Sequence, residues 1–318
     1  MATTKKGLRQ VFGSRRRCRI ALEVGTHSPW VSRLLSSLGH EVIVANPRQL
    51  QLITQSSRKD DKVDAKTLAR LARIDAELLR PIRHRSEKAQ LDLMRIRVRA
   101  RLMETRTALV NAVRGLAKSV GERVPSCDPD SLDQVHLEGF PEPLRGVLSP
   151  LVQQVESLTE QIQEADRKLE QIARSEYPES KLLEQVYGVG TLIALTFVLT
   201  IEDRQRFGKS RDVGCYVGLR PRRSQSGQRE PELSITKEGD VYLRKMLVQG
   251  AHRLLQRRAP DTDVKRWGVK LAARGGKNAK KRAIVAVARK LAILLHRLWV
   301  TGEVYQPLGY GQAHAVAA

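Results

Sequence analysis

Two stretches of heptad-like apolar spacing, separated by a proline-rich interval, constrain the fold of this chain more than any other feature. Leu91, Met94, Val98, Leu102, Leu109, Leu116 and Val120 recur at three, four or seven residues with Arg and Glu between them, and Val152, Val155, Leu158, Ile162, Ala165, Leu169 and Ile172 resume the pattern. Such spacing lays apolar side chains along one seam of a helix, as in a coiled coil. The first helix, predicted over 86–120, would be on the order of 50 Å long at 1.5 Å per residue. Pro125, Pro129, Pro141 and Pro143 interrupt helical hydrogen bonding between the two. The helices are expected to pair antiparallel or to dimerise, as a coiled-coil linker over 83–178 between a module at 1–82 and a C-terminal domain at 179–318.

The first module has a different rhythm. The run Arg17 to Val24 predicts a buried strand, Pro29 to Leu38 a helix stopped by Gly39, Glu41 to Ala45 a second strand, and Pro47 to Gln55 a further helix. This β-α-β-α order implies a sheet with helices packed on it, so the chain as a whole reads as α/β plus α.

Charge narrows the partners. Among 318 residues, 57 Lys and Arg stand against 34 Asp and Glu, a formal net charge of +23, more than solubility requires. A nucleic acid is the economical partner. A membrane surface would also attract such charge, but no apolar run reaches the roughly 18 residues of a spanning helix and the N-terminus has no signal-peptide core. The cysteines, Cys18, Cys127 and Cys215, form no CxxC pair, which fits a reducing cytoplasm.

Against this positive background a few acids stand out. Glu23 closes an apolar strand, where an unpaired carboxylate is costly, and Gly25 and Thr26 follow it. Asp61 and Asp64 have i,i+3 spacing, so a helix beginning near Asp60 projects both from one face. The bland alternative is that Asp60 and Asp61 merely cap that helix. Three carboxylates at a strand end and a helix start are oxygen ligands suited to a divalent cation, and with a polyanionic partner that combination points to phosphodiester chemistry.

Three further features bear on nucleic acid. Ser224 and Ser226 lie in a glycine-containing loop among Arg220, Arg222, Arg223 and Arg229, where arginines hold phosphate and a serine is a candidate nucleophile; ordinary loop composition with phosphate-binding arginines is the competing reading. Gly188-Val189-Gly190 precedes an apolar helix, as in a helix-hairpin-helix that offers backbone N–H groups to a phosphate, although Gly-x-Gly also ends helices for steric reasons. Residues 274 to 297 contain eight Lys or Arg and no acid, with Lys277, Lys280, Lys281 and Arg282 opening a helix over 283–298 whose stripe Ile284, Val287, Leu291, Leu294 and Leu295 faces a core. A solvated basic helix is the alternative there. The histidines show no paired metal spacing.

Taken together, Leu22-Glu23-Val24-Gly25-Thr26-His27, Gly39-His40-Glu41-Val42, Asn46-Pro47 and Lys59-Asp60-Asp61-Lys62-Val63-Asp64-Ala65 resemble the catalytic half of the DEDD transposases of insertion-sequence family one-ten, eleven-eleven subgroup. Gly188-Val189-Gly190, Gly218-Leu219-Arg220-Pro221, Ser226-Gly227, Ile235-Thr236-Lys237-Glu238-Gly239-Asp240 and Tyr242-Leu243-Arg244 resemble its C-terminal domain, so the likeness runs from about Arg17 to Pro307.

The resemblance implies an RNase H-like (RuvC-like) domain whose acidic tetrad holds Mg²⁺, a coiled-coil linker, and a helical transposase domain with a nucleophilic serine. By motif, Glu23, Asp61 and Asp64 match the second, third and fourth acids and Ser226 matches the serine. Gly188, Gly190, Arg220, Arg222, Arg223, Lys237, Arg244, Lys277, Lys280, Lys281 and Arg282 are the expected nucleic-acid contacts. It further implies a serine–DNA covalent intermediate, an element-encoded guide RNA, a homo-oligomer with a site assembled from two subunits, and a bacterial, nucleoid-associated protein. Residues 1 to 22 contain no Asp or Glu, so the first tetrad acid has no counterpart. The expectation is that the first strands are missing, through a shifted start or a decayed copy. The other readings to be separated are an inactive remnant that binds nucleic acid and a Holliday-junction resolvase-like nuclease, which needs no Ser226.

Overall fold

The computed structural model describes residues 3–46, 60–225 and 233–309, apart from the Asp61 side chain, and the chain forms two compact units, Met1–Ser86 and Glu87–Ala318.

In the first unit, helix α1 (Lys5–Phe12) is capped by Thr4, whose Oγ1 accepts from Gly7 N at 3.1 Å. Strand β1 (Arg19–Glu23), helix α2 (Ser28–Ser37) and strand β2 (Glu41–Ala45) follow, and the strands pair in parallel from Arg19↔Glu41 to Glu23↔Ala45. Parallel neighbours need a crossover, and α2 supplies it. Gly39, at φ +88°, turns the chain out of α2 into β2, a conformation that glycine adopts without strain. Helix α3 (Asp61–Ile74) then packs on the sheet, and Leu68 and Ala72 join Ile43, Ala45 and Leu79 in a small core. The predicted strands and the helix between them are present with ends shifted by one or two residues. The helix expected over 47–55 lies outside the described residues.

In the second unit, α4 (Glu87–Ser119) and α5 (Glu142–Glu176) run antiparallel. Pairings of Lys88 with Glu176, Arg99 with Asp166 and Arg106 with Thr159 set the register. Pro143 sits in the first turn of α5, where its missing N–H has no helical partner to lose. The seam expected on α5 is buried at Val152, Val155, Leu158, Ile162 and Leu169.

On α4 the expected seam is largely wrong, although Leu109 packs against a core. Ala89, Leu93, Ile96, Val110, Val113 and Ala117 face inward, whereas Leu91, Met94, Val98, Leu116 and Val120 are exposed, Val98 at 59 %. Helix α4 carries apolar residues on two faces, and spacing alone does not say which of two stripes meets the partner. The stripe with alanine at both ends and Leu93, Ile96, Val110 and Val113 between them is the one that packs. Arg106, although buried, reaches Thr159 Oγ1 at 3.1 Å, so charge on that face does not prevent burial.

Among the described residues of this unit, six further α-helices follow: α6 (Glu179–Leu183), α7 (Thr191–Ile201), α8 (Arg211–Tyr216), α9 (Val241–Leu254), α10 (Asp263–Ala273) and α11 (Ala279–Thr301). Helix α7 is apolar all round and buried from Ala194 to Ile201, as a central helix must be. Phe197, Leu243, Leu247, Val287, Leu291 and Leu295 form the main core around it. Leu195 and Leu199 on its other side join Leu93, Ile96 and Leu169, so the long helices share a core with those after 179. His296 is buried with Nδ1 at 3.0 Å from Ser210 Oγ and Nε2 at 3.0 Å from the Arg204 carbonyl, a satisfied core histidine. No helix among the described residues is long and apolar enough to cross a membrane.

Candidate active site

The acids of the first unit are positioned by the packing of α3 on β1. Glu23 is the last residue of β1 and is exposed. Arg19, at the other end of the strand, donates from Nη1 to the carbonyl of Ala72, near the end of α3, at 2.9 Å. Helix α3 also packs on the sheet through its middle, where Leu68 and Ala72 join Ile43 and Ala45 with Ala21 against them.

Asp60 is the N-cap, its Oδ1 accepting from Lys62 N at 2.9 Å, and this leaves Asp61 and Asp64 as helical residues one turn apart. The capping alternative is thus realised at Asp60. Glu23 and Asp64 have no cationic partner among the described residues, in a chain with a large excess of cations. Among the described residues no three His, Cys, Asp or Glu side chains gather as a metal-holding group, and the Asp61 side chain lies outside them.

Sequence reasoning missed the support behind Glu23. Ser28 is buried, donates from Oγ to the Gly25 carbonyl at 2.8 Å, and accepts from Gly25 N at 3.0 Å. Its remaining lone pair faces His84 Nε2 at 2.9 Å, so the imidazole donates there. Burial, reinforced by the charges of Arg33 and Arg85, holds the His84 imidazole below its ordinary pKa. The turn that follows Glu23 is fixed by a residue 56 positions away from Ser28, and no local pattern announces such a contact.

In the second unit, Ser226 lies outside the described residues, but the chain leading into and out of its loop is described. Arg222 N donates to the Ser234 carbonyl at 3.0 Å, Thr236 N to Arg220 O at 2.9 Å and Lys237 N to Gly218 O at 3.1 Å. These bonds, with the antiparallel bridge Pro221↔Ile235, close a two-stranded neck. Arg220, Arg222, Arg223 and Lys237 are exposed on it.

The neck is seated by two glycines. A Cβ on Gly218, at φ +70°, would lie 2.1 Å from the Glu238 carbonyl oxygen, and one on Gly239, at φ +77°, would lie 1.9 Å from that of Tyr216. Asp240 then caps α9 by accepting from Leu243 N at 2.9 Å. Arg244, expected at nucleic acid, turns inward. Its Nη1 donates to the carbonyls of Val217 at 3.0 Å and Glu238 at 2.7 Å, clamping both sides of the neck.

Gly188 has a steric reason of its own. At φ +86° a Cβ would meet the Gly250 carbonyl at 2.8 Å, because the Gly188-Val189-Gly190 turn presses on α9. Gly190 is the N-cap of α7 and has open space about it. Helix α6 has only five residues, so the hairpin's leading arm is short. Before α11, Gly275 and Gly276 both take positive φ, and Lys277, Lys280, Lys281 and Arg282 are exposed around the helix start.

Two family models match the chain, the first extending past the first unit into α4. Residues 1–121 match a family model described as a transposase of the DEDD type, and residues 180–265 match that of the transposase IS116/IS110/IS902 family. The transposase y4pF/y4sB of Sinorhizobium fredii is 31 % identical over 293 residues, covering 90 % of this chain and 74 % of that protein. The chain belongs to the IS116/IS110/IS902 transposase family. The transposase of insertion sequence element IS1111A from Coxiella burnetii is 28 % identical over 91 % of this chain and 79 % of its own length. A family 20 transposase of Pseudomonas aeruginosa is 28 % identical over 91 % and 86 %. The family is one of DNA-acting enzymes.

Proposed function

We propose that this transposase excises and inserts an insertion sequence, through metal-dependent cleavage and strand exchange in which Ser226 becomes joined to DNA. The observation that carries the reading is a pair of hard oxygen donors, Glu23 at the carboxyl end of β1 and Asp64 in the first turn of α3, without cationic partners among the described residues. Such a donor set fits Mg²⁺, with Glu23, Asp61 and Asp64 as the residues that would hold it. When bound, Mg²⁺ would polarise a phosphoryl oxygen and stabilise the leaving oxygen.

In this reading the Ser226 hydroxyl attacks the scissile phosphorus, an O–P bond to the serine forms, and the O–P bond to the departing strand breaks. Arg220, Arg222, Arg223 and Lys237 on the neck hold the phosphates beside the loop, and Arg244 keeps the neck in shape. The N-terminus of α7 at Gly190 and the cluster Lys277, Lys280, Lys281 and Arg282 grip the backbone elsewhere. An element-encoded guide RNA is the second polyanion these surfaces would serve. The exposed stripe Leu91, Met94 and Val98 on α4 supports a homo-oligomer, since a second copy would cover it. RuvC-like and helix-hairpin-helix architectures and a nucleoid-associated location belong to the same proposal.

A second reading is an inactive remnant that still binds nucleic acid, for which the exposed Lys277, Lys280, Lys281 and Arg282 would suffice. Cleavage of element-end DNA separates the two. Active transposase requires Mg²⁺ and loses cleavage in Glu23→Gln and Asp64→Asn with DNA binding retained. Binding without cleavage under all metal conditions supports the remnant.

A further inference from the structure

The N-terminal stretch of the first unit carries positive charge that the proposed reaction leaves unused. Lys5, Lys6, Arg9, Arg15, Arg16 and Arg17 are all exposed. None of the six has an acidic partner among the described residues, and the nearest ion pair in sequence is Arg19 with Glu41.

On α1 the charged and apolar groups separate by face. Leu8, Val11 and Phe12 lie together at helical spacing, Lys6 projects from the opposite side, and Lys5 and Arg9 flank the apolar stripe, all three exposed. The apolar face is already covered. Leu8 is buried, and the Phe12 ring meets His40 edge-on with centroids 5.8 Å apart. A basic amphipathic helix on a membrane must put its apolar face into lipid, and that face of α1 is committed to protein. What remains outward is cationic.

The arginine loop beyond α1 is built rather than loose. The His40 ring is buried, its Nε2 donates to the Phe12 carbonyl at 3.0 Å, and its Nδ1 accepts from Cys18 N at 3.3 Å. One imidazole thus ties both feet of the segment Gly13–Arg17. Arg15 returns Nε to the Val11 carbonyl at 3.1 Å, and its guanidinium lies 5.6 Å from the Phe12 ring centroid. The three arginines are displayed together on a closed loop.

We propose that the cationic face of α1 and the Arg15–Arg17 loop form a binding surface for the phosphate backbone of nucleic acid on the sheet unit, in addition to the C-terminal basic cluster. Clustered cations held by a fixed framework release counterions from a polyanion without first having to order themselves. The inference rests on the nucleic-acid reading of the protein, and duplex DNA and structured RNA offer the same phosphodiester chemistry.

The test is a salt titration of full-chain binding to duplex DNA and, separately, to a structured RNA. It compares Arg15→Glu/Arg16→Glu/Arg17→Glu with a control of equal charge change at the exposed residues Arg257→Glu/Arg258→Glu/Lys270→Glu. The loop triple should lower the slope of log affinity against log salt by about 2 to 3, roughly 0.9 for each phosphate that is no longer neutralised on a duplex and 0.7 on a single strand. The control should lower it less, and the Arg→Gln version of the loop triple should act in the same direction. Whichever polymer shows the specific drop is the one this surface holds. Equal losses in the loop and control triples, or an unchanged slope, overturn the inference while leaving the nucleic-acid reading intact. Failure of the unmodified chain to bind either polymer overturns both.

Discussion

Arg99 forks onto Asp166 across the two long helices, Nε to Oδ1 at 2.8 Å and Nη2 to Oδ2 at 2.9 Å. The guanidinium is largely shielded and the carboxylate partly exposed, so the pair is a register pin more than a large source of stability. Asp166→Ala should cost about 1 kcal/mol, after allowing for solvent screening, and lower Tm by a few degrees. Arg99→Lys, which keeps charge but not the fork, should lose most of the same amount. Thermal melts of the two variants check this.

Acidification should loosen the first unit through His84. Its folded pKa lies below the ordinary 6.5, by burial first and then by the Arg33 and Arg85 charges, so the unfolded chain takes up the proton at higher pH than the folded one. The stability it contributes is therefore present above about pH 6.5 and falls as pH drops from there toward the folded pKa. In His84→Gln, denaturant midpoints should lose part of their pH dependence over that window. An unchanged pH profile would show that the imidazole is not coupled to folding.

The neck beneath the Ser226 loop should tolerate no side chain at Gly218 or Gly239. Alanine at either places a Cβ against a backbone carbonyl at positive φ, which should cost several kcal/mol and abolish DNA cleavage together with the native circular dichroism. Arg244→Ala leaves the carbonyls of Val217 and Glu238 without that donor and should cost about 1 to 3 kcal/mol. If Arg244 instead acted mainly on DNA, Arg244→Ala would leave Tm unchanged and weaken binding alone.

The uncovered stripe of α4 should set the oligomeric state. Met94→Glu/Val98→Glu alters exposed positions, so the fold should survive while light scattering reports a smaller assembly than the unmodified chain forms. An unchanged mass would place the subunit contact elsewhere.

The sequence made the regular parts of this fold legible where one face alone is apolar. The strand Glu41–Ala45 and the seam of α5 were readable because their neighbours are polar. The buried face of α4 was not, because Leu91, Met94 and Val98 offer a second stripe of equal quality. For the proposed site, Glu23, Asp61 and Asp64 are candidates by residue type and spacing, and the cap at Asp60 was foreseeable from the same pattern. The parts that hold the site are contacts between distant residues. Ser28 with His84, Arg244 with Val217 and His40 with Phe12 involve ordinary residues whose purpose appears only when the chain is folded.

The most direct measurement is whether the protein becomes covalently joined to element-end DNA. With Mg²⁺ present, the account predicts an adduct that survives denaturing electrophoresis, disappears in Ser226→Ala, and is lost in Glu23→Gln although DNA is still bound. An adduct of undiminished yield in Ser226→Ala, or full strand exchange by that variant, would contradict it.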